Sequence, residues 1–207
     1  MIPAQLKELL LQSLEHEKGG VLIYQTALEC VINDDLEEEW EEYLAQTEEH
    51  VVVLTSVCQS LGLDPNERTP GCQVVQHTGK SLVQAMKMAL AAGNPEAAEL
   101  VACECVVLAE TKDHANWELI GACADAYDDP TAQVLHDAYE TVEDEEDEHL
   151  YHTKGWCREL WLQSLGIDAT LPPPEEERDV KSAIEAENAK KSEKPRRMES
   201  ETEAELA

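Results

Sequence analysis

Four separate stretches of the chain carry a glutamate or a histidine where the surrounding pattern predicts an apolar residue. These residues are Glu17, His50, Glu110, and the pair Glu146 and His149. A carboxylate or an imidazole on a core-facing helix stripe must be paired, hydrogen-bonded or bound to a metal ion, because its desolvation is otherwise unfavourable. Four such interruptions predict one shared site.

Each of these residues lies near the middle of an otherwise apolar helix face. Side chains three and four residues apart share one face of a helix, so apolar residues at that spacing mark the face that turns toward a core. The four stripes cover the ranges 6–31, 40–61, 100–124 and 135–160. The second stripe contains Thr47 as well as His50, and the third has Asp113 beside it. Four helices are therefore expected to present polar groups to one interior.

Turn and capping residues divide this part of the chain into two long hairpins. Asn33-Asp34-Asp35 separates the first two long helices, and Asp128-Asp129-Pro130 separates the last two. The predicted helices cover 3–32, 36–61, 80–91, 95–127 and 130–165. The sequence thus predicts an all-α four-helix bundle of two hairpins, joined by a crossover that carries an extra short helix.

The polar residues of each hairpin are about equally far from its turn. Glu17 and His50 flank the first turn in this way, and Glu110 and Glu146 flank the second. When each hairpin folds, its polar residues therefore come to the same height in the bundle. Residues on unrelated faces would not match in height.

Other polar residues are candidates for the same site. Glu143 is the next carboxylate of the last helix to face the core, and Asp113 and His114, one turn after Glu110, could complete a coordination sphere. The remaining histidines fall off the stripes and are expected at the surface: His16, His77, His136 and His152.

Composition excludes several classes of partner. The net charge of −30 argues against nucleic acid or an anionic membrane, because phosphate neutralisation needs clustered lysine and arginine. The chain lacks an apolar run of about 18 residues and a signal-like N-terminus, so a soluble, cytoplasmic protein is expected. Seven cysteines, without a C-x-x-C pair, are expected to be reduced and mostly buried.

The domain organisation predicted from composition is one helical domain and a tail. Residues 1–166 contain the amphipathic helices. Residues 167–207 contain the proline run 172–174, which is followed by charge-rich, aromatic-free sequence. This tail is expected to be disordered or to form only a transient helix, because it offers too little apolar surface to offset its ordering entropy.

The helical part resembles the ferritin-like superfamily, and most of all its small stress-associated bacterial members and the manganese catalases. The resemblance covers roughly residues 3 to 165. It rests on Glu17-Lys18, on Glu48-Glu49-His50, on the short helix before Asn94-Pro95 and on the acidic run Glu140 to Glu146. Glu146-Asp147-Glu148-His149 has the Glu-x-x-His form that places two ligands on one helix face.

The resemblance implies a pair of iron or manganese ions held by all four helices. Carried over to this chain, the ligands would be Glu17, His50, Glu110, Glu143 or Glu146, and His149. Hard oxygen ligands with imidazoles also favour iron or manganese over copper. Dioxygen or peroxide would be the partner molecule, and the resemblance implies a homo-oligomer.

One position departs from the family pattern. The second helix of the family usually supplies a glutamate three residues before its histidine, and here that position is Thr47. Threonine cannot bridge two metal ions as a carboxylate does. An asymmetric dinuclear centre, a single metal ion and a degenerate site all remain open.

The candidate ligands, the resemblance and the threonine at position 47 leave two functions open. The first is a metal-binding protein of oxidative-stress defence, which acts as a ferroxidase on Fe(II) or as a peroxide-consuming oxidoreductase. The alternative is a metal-free, degenerate scaffold or stress protein without catalysis, which Thr47 favours.

Overall fold

The computed structural model describes residues 2–191 and Arg196. Within these residues the chain forms seven helices and no β-strand, which confirms the all-α fold class. The helices are α1 (Ala4–Ala27), α2 (Asp34–Ser60), α3 (Pro70–Ala91), α4 (Pro95–Ala126), α5 (Pro130–Ser164), α6 (Pro174–Glu177) and α7 (Ala183–Lys191). None of the helices in this part combines the length and the hydrophobicity that crossing a lipid bilayer requires.

Capping side chains set the starts of the long helices. Asn33 Oδ1 accepts the N–H of Leu36 at 3.1 Å, and Asn94 Oδ1 accepts the N–H of Ala97 at 3.1 Å. Asp129 caps α5 through its side chain. Each cap satisfies a backbone donor that has no partner within the helix. The turns predicted around these residues therefore separate the helices as expected.

The crossover helix is longer than the sequence pattern predicts. α3 covers 70–91, whereas the predicted helix covers 80–91. Thr69 Oγ1 accepts the N–H of Cys72 at 3.1 Å and starts the helix ten residues earlier. Cys72 is buried, so this first turn of α3 also packs onto the bundle.

The first helix is shorter than predicted. α1 ends at Ala27, and the N–H groups of the next four residues, 28–31, bond back to carbonyls of its last turn. Glu99 Oε1 accepts the N–H groups of Ile32 and Asn33, both at 2.8 Å. A long-range contact therefore fixes the turn between α1 and α2.

The four long helices form a ring of antiparallel neighbours. α1 packs on α2 and on α4, and α5 packs on α2 and on α4. Contacts between α2 and α5 run from His50 with Glu145 to Glu39 with Trp156, so the two helices are antiparallel. α3 lies outside this ring, against α1 and α4. The described residues thus form an all-α bundle.

The apolar core of the bundle is divided into two halves. One cluster is built around Trp40 and Trp156, and the other around Leu54 and Trp117. Between them lies a layer of buried polar side chains contributed by α1, α2, α4 and α5. The interruptions of the four stripes therefore meet in one layer of the bundle.

The segment after the bundle packs against α5. Arg158 donates to both carboxylate oxygens of Glu175, which is buried, at 2.5 and 2.8 Å. Gly155 allows the close approach, because a Cβ there would lie 2.9 Å from Glu175 Oε2 and 2.9 Å from Pro173 Cβ. Val180 packs near Tyr151. Residues 167–191 thus differ from the expected disordered tail, and the rest of that tail, apart from Arg196, lies outside the described residues.

Candidate metal centre

Five of the predicted site residues meet in the polar layer. Glu17, His50, Glu110, Glu146 and His149 are each at most 3 % exposed. They come from four helices, one each from α1, α2 and α4 and two from α5. Their matched distances from the two turns therefore bring them to one height in the bundle, as predicted.

The five side chains form two groups that share one carboxylate. His50 Nδ1 lies 2.9 Å from Glu146 Oε1 and 3.7 Å from Glu17 Oε2. His149 Nδ1 lies 3.8 Å from Glu146 Oε1 and 3.6 Å from Glu110 Oε2. In each group the three ligand atoms lie within 4.8 Å of one another. These buried glutamate and histidine groups could hold a metal ion, and Glu146 belongs to both.

The outer nitrogens of the two imidazoles are held by hydrogen bonds. His50 Nε2 lies 2.8 Å from Glu145 Oε2, and His149 Nε2 lies 2.7 Å from Gln46 Oε1. Both oxygens are acceptors, so each Nε2 carries the hydrogen. In a neutral imidazole, the Nδ1 lone pair then faces the buried carboxylates. This is the tautomer in which a histidine binds a metal ion through Nδ1.

Several buried atoms of this layer have no hydrogen-bond partner among the described residues. His50 Nδ1 is one of them, because its close contact with Glu146 is not aligned for a hydrogen bond. The unpartnered atoms of the layer include Glu17 Oε2, His50 Nδ1, Glu110 Oε2, Asp113 Oδ1, Glu146 Oε2 and His149 Nδ1. Unpaired lone pairs directed at one another are unfavourable unless a cation or a proton lies between them.

Burial changes the protonation of most of these groups. The pKa of Glu17 and that of Glu146 are raised well above their ordinary value by burial and then by the charge of Asp113. The pKa of Asp113 is raised to about 6, chiefly by burial. Burial, followed by the charge of His149, lowers the pKa of His50 to about 4. Without a metal ion the layer therefore retains protons on its carboxylates, which a cation would displace.

Glu110 is the exception among the carboxylates. Burial acts to raise its pKa, but the approach of His149, whose Nδ1 lies 3.6 Å from Glu110 Oε2, outweighs burial and lowers the pKa. Tyr24 lies beside this pair, with its ring 6.1 Å from that of His149 and its hydroxyl unpartnered among the described residues. Burial and then the charge of Glu110 raise the pKa of Tyr24, so the phenol stays protonated.

Thr47 contributes no ligand. It is buried, and its hydroxyl donates to the carbonyl oxygen of Tyr43 at 2.7 Å. Its methyl group faces α1, where a Cβ on Gly20 would lie 3.1 Å from Thr47 Cγ2. The position is therefore inside the layer, as its place in the stripe predicts, without the carboxylate of the family pattern.

The other candidates divide between the layer and its surroundings. Asp113 is buried in the layer. His114 turns away and its Nε2 lies 2.7 Å from Asp147 Oδ1. The structure does not bring Glu143 to the cluster, since it is half-buried and interacts with Tyr139. Glu146 rather than Glu143 is thus the carboxylate of α5 that joins the two groups.

Several residues of the site were not identified from sequence. Gln46 and Glu145 hold the outer imidazole nitrogens, yet both fall beside the stripes. Trp117 Nε1 donates to Glu17 Oε1 at 2.8 Å, although its place in the stripe indicated only packing. His152, expected at the surface, is 6 % exposed. Helix periodicity indicates which face is buried, but not which polar residues at its rim reach inward.

Comparison with protein-family models, with curated proteins and with solved structures finds no match to the chain. Fold and site together define an all-helical bundle whose interior holds glutamate and histidine groups able to bind a metal ion.

A carboxylate at position 47 is expected to strengthen metal binding. Thr47→Glu adds a charged oxygen ligand to the layer from α2, and we expect roughly tenfold tighter Mn²⁺ binding, which corresponds to about 1.4 kcal/mol. Calorimetric titration of the metal-free protein measures this affinity. Thr47→Gln is the matched control, because it has the same size without the charge. Equal affinities in the two variants would contradict the expectation.

Proposed function

We propose that the chain is a ferritin-like metal-binding protein that holds two iron or manganese ions. The observation that carries this proposal is the arrangement of the two imidazoles. Each directs Nδ1 at buried carboxylates while its Nε2 is fixed from outside by an acceptor. A cation at these positions satisfies atoms that otherwise have no partner among the described residues.

In this proposal the ligands are divided between the two groups. Glu17 and His50 would hold one ion, Glu110 and His149 would hold the other, and Glu146 would bridge them. Carboxylates with one imidazole per ion suit iron and manganese better than softer metals. With Thr47 in the usual place of a second bridging glutamate, the proposed centre has a single carboxylate bridge.

The proposed activity is oxidation of Fe(II) or consumption of peroxide. A redox-active iron or manganese ion supplies the electron-transfer chemistry toward dioxygen or peroxide. The chain contributes a buried site between two apolar half-cores, which excludes bulk water and large reductants. Tyr24 places a protonated phenol beside Glu110, where it can donate a hydrogen bond to that carboxylate.

Metal analysis of the purified protein tests the proposal. We expect two ions per chain after reconstitution with Fe²⁺ or Mn²⁺ under anaerobic conditions, and consumption of dioxygen or hydrogen peroxide by the loaded protein. Glu110→Ala and His149→Ala should lower the metal content. Unchanged metal content in both variants would overturn the proposal.

A metal-free scaffold is the second candidate, and Thr47 is the observation that favours it. A bundle that has lost one ligand position can keep its fold through its two apolar half-cores alone. The two candidates differ in a simple measurement. A scaffold has the same melting temperature with and without Fe²⁺ or Mn²⁺, whereas a metal-binding protein is stabilised by mass action.

A further inference from the structure

A long groove lies between α1 and the crossover helix α3, outside the ring of long helices. Its volume is approximately 640 Å³, and the connection between α2 and α3 closes one side. We refer to it as the basic groove. Its wall on α1 runs from Leu11 to Leu22, which corresponds to about 16 Å along the helix axis. The groove therefore has the size and the elongated shape of a site for a small organic molecule.

The floor of the basic groove is apolar and partly empty of side chains. Leu11 and Cys72 are the first lining residues of their helices and are buried, and Val83 lies further along α3. A Cβ on Gly19 would have no neighbour within 4 Å, so this glycine leaves the space open. No aromatic side chain of the described residues lines the groove, and a planar ring would have no stacking partner there. The floor therefore suits a flexible aliphatic chain.

The charge of the groove is opposite to that of the whole chain. The net charge of the chain is −30, yet four basic and two acidic side chains of the described residues line the groove. Both acids have partners of their own: Glu67 forms an ion pair with Lys7 at 2.5 Å, and Glu15 accepts a hydrogen bond from Gln76 at 2.8 Å. The basic lining residues are Lys18, Arg68, Lys80 and Lys87. Positive charge is thus concentrated at one place on an acidic protein.

The four basic side chains are not neutralised by carboxylates. Among the described residues, none of the four forms an ion pair. Lys18 donates to the carbonyl oxygen of Pro65 at 3.5 Å, and Arg68 donates to Gln76 Oε1 at 2.8 Å. Both acceptors are uncharged. An anion in the groove would therefore find cations that carboxylates of this chain have not already paired.

The basic groups stand at the rim and the apolar residues at the floor. Arg68, Lys80 and Lys87 are exposed, and Lys18 is half-buried. A negatively charged group at the rim would be attracted by several cations at once. An aliphatic chain on the floor would be removed from water. The two features together fit a molecule that is charged at one end and apolar along the rest.

We propose that the basic groove binds an anionic amphiphile, an unbranched aliphatic chain that carries a carboxylate or a phosphate. The chain lies on the floor between α1 and α3, and the anionic head contacts the basic side chains of the rim. The groove shares no lining residue with the metal centre, so the site goes beyond the proposed function and does not depend on it.

Calorimetric titration of the purified protein with decanoate, below the concentration at which it forms micelles, tests the site. We expect saturable binding of one molecule per chain. Decanoate should bind roughly four- to sixteenfold more tightly than octanoate, because each methylene that reaches the floor adds about two- to fourfold in affinity. Octanol has the chain of octanoate without the charge, and it should bind roughly tenfold more weakly than octanoate.

A change of head group distinguishes the two kinds of amphiphile. Decyl phosphate and decanoate have the same chain, so the tighter of the two identifies the head that the groove accommodates better. Three results would overturn the proposal: no saturable binding of either decyl compound, equal affinity for decanoate and octanoate, or equal affinity for octanoate and octanol.

A charge variant locates the bound head. Lys80→Gln/Lys87→Gln removes two exposed charges from the rim, and we expect decanoate to bind roughly fivefold more weakly at low salt, with a smaller difference at high salt. Lys154→Gln/Lys190→Gln is the matched control, because both lysines are exposed and lie outside the groove. Equal affinities in the two variants would place the head elsewhere and overturn the site.

An apolar variant locates the bound chain. Leu22 lines the groove and is 51 % exposed, so Leu22→Gln changes the wall without disturbing the core. We expect roughly threefold weaker binding of decanoate, since part of the chain loses an apolar contact. Leu119→Gln is the matched control on α4, because Leu119 is 54 % exposed and lies outside the groove. Decanoate binding that is the same in both variants would contradict the position of the chain.

Discussion

Glu146→Gln is expected to remove metal binding from both halves of the centre at once. Glu146 is the one residue that belongs to both ligand groups, with Oε1 2.9 Å from His50 Nδ1 and 3.8 Å from His149 Nδ1. Glutamine has the same shape but no charge, and it cannot bridge two cations as a carboxylate does. We therefore expect the loss to exceed that caused by Glu17→Gln or Glu110→Gln, each of which affects one group.

The measurement combines metal content with thermal unfolding. A metal ion present at a hundred times its dissociation constant stabilises the folded state by about 2.7 kcal/mol. Wild-type protein should therefore melt at a higher temperature when Mn²⁺ is added, and Glu146→Gln should not. In the absence of metal the variant should be at least as stable as wild type at neutral pH, because it removes a buried acid that unfolding would ionise.

The matched control is Glu143→Gln. It changes the same residue type in the same helix, one turn earlier, at a half-buried position outside the cluster. This variant should bind metal as the wild type does. Equal metal binding by Glu146→Gln and Glu143→Gln would show that Glu146 is not a ligand.

The stability of the metal-free protein is expected to fall as the pH rises above 6.5. The pKa of Glu17 and that of Glu146 are raised well above 4.5, first by burial, so the folded protein keeps protons that the unfolded chain has already released. Stability is lost wherever the folded state binds more protons, by about 1.4 kcal/mol per pH unit for each such group. The loss continues until the pH reaches the folded-state pKa.

His50 changes the stability in the opposite direction at lower pH. Burial lowers the pKa of His50 from 6.5 to about 4, so its contribution to stability is present above pH 6.5 and is lost as the pH falls toward 4. Above pH 6.5 this contribution no longer changes. The carboxylates then determine how the polar layer responds to pH.

Chemical unfolding at a series of pH values, with a chelator and then with Mn²⁺, measures this effect. We expect the free energy of unfolding to decline with pH in the chelator. Added metal should abolish or reverse the decline, because the ions replace the protons and bind more tightly at higher pH. Glu146→Gln should show a shallower decline than Glu143→Gln in the chelator. Parallel pH profiles of these two variants would contradict the assigned protonation.

The helices and the cluster could be predicted because they depend on local periodicity. Glu17, His50 and Glu110 each interrupt an apolar stripe, and burial of the stripe carries the polar residue inward with it. The turns at Asn33 and Asp129 then set their common height. Sequence alone also identified Thr47 as a core position without a ligand, which the structure places inside the layer.

What could not be predicted depends on contacts between residues distant in the chain. Glu175 is one of several consecutive acids, and nothing local indicates that Arg158 buries it against α5. His152 falls off the stripe, yet contacts with Tyr43 and Glu39 of α2 keep it buried. Periodicity describes one helix at a time, whereas these positions are decided by neighbours from other elements.

The division of the apolar core has a consequence for cooperativity. Each end of the bundle buries its own set of side chains, and the polar layer between them contributes little favourable burial of its own. The two ends can therefore open locally with some independence when the layer is held by protons alone. Ions bound by residues of α1, α2, α4 and α5 would tie the four helices together at mid-height. Metal binding would then make the two ends unfold as one unit.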